Sequence, residues 1–326
     1  MRIKTDNILI WALLLIVLLL QITFFYNCKV NIRNLEIYNL KIPKLFLSQG
    51  MVNGELNSFV KKNKLGIVQL VGQADIDPED DLEINYDLLK KRIVQLFPEK
   101  NSNGICVLDW EGKGMDALKD TKSMRNEYAT DRFIDALKFA QVLRPNVQWG
   151  YYGLPFREYW KRDSIWSMNC ESLYPILNQS DILFPSLYLL YLDTEVPEGE
   201  NEKYLQDNVI SALKIGKKLA KPVLPFVWHR ISSKHTTLEK GYMSEKEFLH
   251  YISQIINVDY KGERVSGIVW WGNPKYFYQV ENRGKLSTRS YKYDETIYLK
   301  DLNQFIRTSS ISILKELDST RRKSEN

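Results

Sequence analysis

Cysteine and histidine are scarce: three of each occur in 326 residues. Three thiols cannot staple a chain of this length, so the fold must rest on a hydrophobic core rather than on a disulfide framework. Cys106 sits inside an apolar run and reads as a small buried hydrophobe, while Cys28 follows a long apolar segment and Cys170 stands near a helix start. His229, His235 and His250 share no metal-ligand spacing with the scattered acids, so no metal centre is expected. Neither a phosphate loop nor a dinucleotide fingerprint occurs, and no cofactor is expected. Short-period repeats and low-complexity linkers are also missing. The formal charge of +5 is mild, and part of it sits at the ends, as in Arg321-Arg322-Lys323. It permits an acidic polysaccharide partner without demanding one, and it gives no reason to expect nucleic acid.

What the chain does contain is apolar material for one large core, 44% hydrophobic against 26% charged residues. Residues 8–26 carry no charge and follow Arg2 and Lys4. That length is near the ~20 residues that span a bilayer, and Phe24-Phe25-Tyr26-Asn27 offers no small-residue cleavage site, so a signal anchor is favoured over a cleaved signal peptide. The expected organisation is an anchor or signal segment over 1–29, one domain over 30–317 and a disordered tail over 318–326.

Within that domain, strand signals at 44–47, 66–71, 104–108, 149–152, 182–187, 223–228 and 267–271 alternate with helical patterns. The helices are expected at 86–96, 127–143, 204–219, 244–256 and 299–317, the fourth opened by the capping box Ser244-Glu245-Lys246-Glu247. With no hairpin turn between strands, the pattern predicts parallel βα units closing into a TIM-like (β/α) barrel of about seven strands.

The triplet Asp109-Trp110-Glu111 ends the apolar run Gly104-Ile105-Cys106-Val107-Leu108. Successive strand side chains point to opposite faces, so Asp109 and Glu111 share one side and Trp110 takes the other. At the carboxyl end of a barrel strand the two carboxylates face the functional side. Crowding raises the pKa of one acid while its neighbour stays ionised, which suits a proton donor beside a charge stabiliser. Alone, the triplet equally describes two solvated loop-edge acids.

The surrounding blocks add to it. Leu143-Arg144-Pro145-Asn146, Trp149-Gly150-Tyr151-Tyr152-Gly153-Leu154-Pro155, Phe184-Pro185-Ser186-Leu187-Tyr188, Val223-Leu224-Pro225-Phe226 and Gly267-Ile268-Val269-Trp270-Trp271-Gly272 follow in order. In that order and spacing the chain resembles the hyaluronidase family of glycoside hydrolases, the eukaryotic and venom type, from about Gly66 to Trp271. The resemblance implies hydrolysis of a β-linked, N-acetylhexosamine-containing polysaccharide, with the substrate's own acetamide as nucleophile. It implies Glu111 as acid and base and Asp109 as its partner on the acetamide. Tyr188, Trp271, Tyr151, Tyr152 and His229 become substrate-binding candidates, with the pairs Tyr151/Tyr152 and Trp270/Trp271 each divided between barrel interior and helix layer. It also implies a domain outside the cytoplasm, secreted or held to a membrane through residues 8–26.

Two departures stand out. The cysteine that the family carries soon after its Trp-Gly-Tyr-Tyr strand is missing from Phe156-Arg157-Glu158-Tyr159. A second site tyrosine of the family aligns with Ile231, which cannot donate a hydrogen bond; His229 or Tyr242 substitutes, or substrate preference is altered, or activity is reduced. The alternatives left open are another N-acetylglucosamine polymer as substrate and a carbohydrate-binding pseudo-enzyme of the same fold.

Overall fold

Residues 43–231, 243–282 and 295–325 are described by the computed structural model. The chain divides into a unit Met1–Leu40, outside the described residues, and a unit Lys41–Asn326. The expected anchor at 8–26 therefore lies outside the described residues, as do Cys28, His235 and Tyr242. Among the described residues no helix is long and apolar enough to cross a membrane.

Six strands form one sheet in the order β4-β3-β2-β1-β6-β5, every neighbouring pair parallel. They are β1 (Lys44–Ser48), β2 (Gly66–Gly72), β3 (Gly104–Asp109), β4 (Val147–Tyr151), β5 (Phe226–Val227) and β6 (Gly267–Trp270). Helices between the strands cover the sheet, giving a curled, barrel-like α/β fold in which strands such as β3 are buried on both faces and read as unbroken apolar runs. Helix Met124–Leu143 shows how the outer layer attaches: Ala129, Phe133, Ala136, Leu137 and Ala140 recur at helical spacing and are all buried. The capping box forms as expected, with Ser244 and Glu247 exchanging hydrogen bonds of 3.2 and 2.7 Å at the start of helix Glu245–Ile256.

Two expected strands are changed by proline, which has no N–H to give to a ladder. Segment 182–187 is no regular strand. It joins the sheet's two edges through isolated parallel bridges, Tyr152 with Phe184 on one side and Ser186 with Phe226 on the other. Pro185, between those bridges, contributes only its carbonyl, which accepts from the Phe226 amide at 2.9 Å. Pro222 and Pro225 likewise cut the expected 223–228 strand down to Phe226–Val227. Gly150 permits the close approach at this seam, since a Cβ there would stand 2.2 Å from the Ile182 carbonyl oxygen.

Most of the stretch expected as a tail, from Asp318 on, belongs to a helix. The last helix runs Glu295–Glu325. Ile306, Ile313 and Leu317 bury its inner stripe, and the buried Thr320 hydroxyl donates to Asn257 Oδ1 at 3.2 Å, so packing carries the helix past the expected end at Leu317.

Candidate active site

Asp109 is the last residue of β3 and pairs in register with Gly72 of β2. Strand alternation sends Trp110 outward, where its ring stacks on Phe133 at 4.6 Å and its Nε1 donates to the buried Asp77 carboxylate at 3.2 Å. Asp109 therefore points inward. Its Oδ1 is buried without a hydrogen-bond partner among the described residues. Desolvation first, and the neighbouring Glu111 charge second, push the Asp109 carboxyl up to about 7.

Glu111 lies two residues beyond the strand, exposed, at the N-cap position of helix Gly112–Lys119. A residue there normally spends its side chain on the helix's free amides. Glu111 does not: its side chain makes no capping bond, and Asp80 takes the role from the preceding acidic loop by accepting from the Lys113 amide at 2.8 Å. Gln73 Nε2 holds the same Asp80 oxygen at 3.1 Å. Gly112 makes the turn with φ of 59°, a region that favours glycine, and a Cβ there would collide with the Asp80 carboxylate. Capping by Asp80 leaves the Glu111 carboxylate uncommitted.

A cluster of phenols and indoles stands on the interior side. Tyr152 Oη and Ser186 Oγ lie 3.0 Å apart, and Arg157 Nη1 donates to Ser186 Oγ at 2.9 Å and to the Tyr188 carbonyl at 3.3 Å. Ser186 Oγ, with two lone pairs and one hydrogen, can accept from the guanidinium and still either donate to or accept from Tyr152 Oη. Tyr204 Oη also donates to the Tyr188 carbonyl, at 3.0 Å, so the backbone under Tyr188 is held twice. The Tyr188 ring faces Trp271 at 5.9 Å and 29°, with Trp228 at 5.8 Å. Burial pushes the Tyr152 phenol up to about 12 and the Tyr188 phenol well above its ordinary value, so both stay protonated donors near neutral pH.

Glu111, Tyr152, Arg157 and Ser186 line one cleft of about 620 Å³, together with an aromatic rim that includes Trp160 and Trp166. The two neighbouring pairs divide as strand geometry requires. Tyr152 and Trp271 take the interior, while Tyr151 and Trp270 take the helix layer, Tyr151 Oη donating to the Phe133 carbonyl at 2.7 Å. Tyr151 as a substrate contact is thus corrected to a packing residue. So is His229. Its ring is buried among Trp270, Phe248 and Phe305, its Nδ1 accepts from Trp270 Nε1 at 3.0 Å, and burial drives its pKa down to about 3. Ile231 lines a second cavity of about 780 Å³ with Tyr191, Met243 and His250. Arg157 and Ser186 escaped the sequence reading. Ser186 stands two residues before Tyr188, a period-2 signal that could have revealed it, whereas nothing in the sequence marks Arg157. Among the described residues no group of three or more His, Cys, Asp or Glu is placed to hold a metal ion.

Comparison with known proteins adds three findings. A family model described as Hyaluronidase matches residues 115–306, a stretch that holds Tyr152, Tyr188 and Trp271 and begins just beyond Glu111. Hyaluronidase Tab y 2.0101 of Tabanus yao is 25% identical over 253 residues, 66% of this chain and 69% of that protein. Hyaluronidase PH-20 of Homo sapiens is 25% identical over 233 residues, 59% of this chain but only 43% of that protein, so this chain spans under half the length of the human relative. Among solved structures, bee venom hyaluronidase has the same fold, with a TM-score of 0.59 and 14% identity over 81% of this chain and 99% of that one. The same protein in complex with a hyaluronic acid tetramer gives a TM-score of 0.57.

Proposed function

The chain belongs to the hyaluronidase family of glycoside hydrolases, and from that premise we propose that it cleaves a β-linked polysaccharide containing N-acetylhexosamine by substrate-assisted, retaining catalysis. The observation that carries the reading is the Asp109 carboxyl, buried with an unpartnered oxygen and pushed up to about 7 beside the uncommitted Glu111. Asp109 thus becomes fully ionised only as pH rises through about 7, and it is this carboxylate form that the chemistry uses.

In the first step Glu111 gives its proton to the glycosidic oxygen as the bond to the anomeric carbon breaks. The acetamide carbonyl oxygen attacks that carbon from the other side and closes an oxazolinium ring. Positive charge appears on the acetamide nitrogen, and the Asp109 carboxylate meets it in a site with little water to screen the attraction. Tyr188 and Tyr152, both neutral donors, orient the acetamide oxygen, and the Trp271 face packs on its methyl group. In the second step Glu111, now a carboxylate, takes a proton from water, whose oxygen opens the ring and restores both groups. The configuration at the anomeric carbon is retained.

Hyaluronan is the first polymer to test, because it occupies the bee venom relative. The reading extends to location, a domain outside the cytoplasm that is secreted or membrane-anchored. The test is a panel of N-acetylhexosamine polymers beside plain glucans, with a thiazoline analogue of the oxazolinium as inhibitor. Turnover confined to acetamido polymers and competitive inhibition by the thiazoline are expected. Efficient cleavage of a plain glucose polymer contradicts the mechanism.

A further inference from the structure

We propose that the exposed indole of Trp160 is a sugar-stacking subsite of the cleft, taking a hexopyranose ring of the polymer at a distance from the bond cut at Glu111. The inference rests on the glycosidase reading only for the identity of the polymer.

Trp160 is 55% exposed, although aromatic side chains of its size gain most from burial. Its exposure is built in. The amides of Tyr159, Trp160 and Lys161 all donate to Glu158 Oε1, at 3.0, 3.0 and 3.2 Å, which fixes the backbone of the turn. Trp160 Nε1 donates to Tyr191 Oη at 3.3 Å, and the Tyr159 ring packs edge-on against the indole at 4.7 Å. Tyr159 is anchored in turn, its Oη donating to Asn201 Oδ1 at 2.7 Å, while Asn201 Nδ2 donates to the Tyr191 carbonyl at 3.1 Å. A tryptophan with purely structural work would turn inward; this one is clamped and still half exposed on the lining of the cleft.

The chemistry of the open face selects the ligand. A pyranose ring presents a flat patch of C–H groups and a rim of hydroxyls, so it covers an indole face while its rim stays hydrogen-bonded. Trp160 lines the same cleft as Glu111, and so do Lys119 and Asn169, which supply polar partners for the rim. At about 620 Å³ the cleft lies within the range that holds a drug-sized ligand, about the bulk of a disaccharide, so one ring at Glu111 and one at the rim are compatible with its size.

The experiment measures binding, not turnover. Calorimetric titrations of the full chain in the Glu111→Gln background use the monosaccharide N-acetylglucosamine as the short member, set beside a chitin hexasaccharide in one series and a hyaluronan decasaccharide in the other. The longer member of at least one series should bind more tightly, and Trp160→Ala should shrink that advantage about tenfold. Trp160→Phe, which keeps a ring, should retain most of it, and equal melting temperatures for the three proteins show that the effect is not unfolding. An undiminished length advantage in Trp160→Ala, equal losses for short and long ligands, or no oligosaccharide binding at all overturns the subsite. A protein that hydrolyses none of these polymers yet binds them through Trp160 refutes the proposed activity and leaves the subsite standing.

Discussion

Replacing Asp109 by asparagine should change the stability of the fold by an amount that becomes more favourable as pH rises. The carboxyl is pushed from its ordinary 3.8 up to about 7 by burial and by Glu111. Between those values the native state binds more protons than the unfolded chain, so the stability of the wild type falls as pH rises through the window and levels off above about pH 8. A difference of about three pKa units corresponds to ~4 kcal/mol across the full window, of which ~2.5 kcal/mol falls between pH 5 and 8. Asparagine has nearly the same shape and never ionises, so Asp109→Asn removes this dependence. Its amide carries an unmatched polar atom of its own, a cost of about 1–3 kcal/mol that does not vary with pH. Urea unfolding of both proteins at pH 5, 6, 7 and 8 at constant ionic strength isolates the pH-dependent part. The stability of the variant minus that of the wild type should rise by ~2.5 kcal/mol over this range. In Glu111→Gln, where the neighbouring charge is gone, the rise measured for Asp109 should be smaller. A difference that is flat in pH, or that falls, refutes the claim that Asp109 is held as a poorly solvated acid.

The same titration predicts turnover that falls as pH drops below about 7, because protonation removes the Asp109 carboxylate that meets the charge on the acetamide nitrogen; a pH–rate profile still rising as pH falls from 7 to 5 would exclude it. Asp80→Ala removes the cap on the Lys113 amide, should cost about 1 kcal/mol in urea unfolding, and should lower kcat as Glu111 loses its fixed start of helix. Arg157→Met removes the donors to Ser186 and the Tyr188 carbonyl and should cost about 1–3 kcal/mol, with Arg157→Lys recovering part of it; equal stability of all three proteins would contradict the role.

Much of this architecture could be read from residue order. The alternation of apolar strands with amphipathic helices gave the parallel sheet, and period-2 geometry separated Asp109 from Trp110, Tyr152 from Tyr151 and Trp271 from Trp270. Local rules failed where distant residues decide. Pro185, Pro222 and Pro225 are visible in the sequence, yet only the assembled sheet reveals that they stand at its seam, where one expected strand is reduced to bridges and another to two residues. The capping of Glu111's helix comes from Asp80, 33 residues from the amide it holds, and no pattern next to Glu111 announces it. His229 is a candidate stand-in for the family tyrosine that aligns with Ile231, but alternation turns it into the helix layer beside Trp270. That Asp109 lies at the buried strand end, where its carboxyl is raised, while Glu111 lies in the exposed turn was also beyond the sequence.

The central claim, that Glu111 and the substrate's acetamide together break the glycosidic bond, is tested most directly by following the newly formed reducing end by proton NMR during hydrolysis of a defined hyaluronan oligosaccharide. The wild type should release the β-anomer first, and Glu111→Gln should release product at least ~10²-fold more slowly while still binding the oligosaccharide. A first-formed α-anomer, or near-normal turnover by Glu111→Gln, would contradict the account.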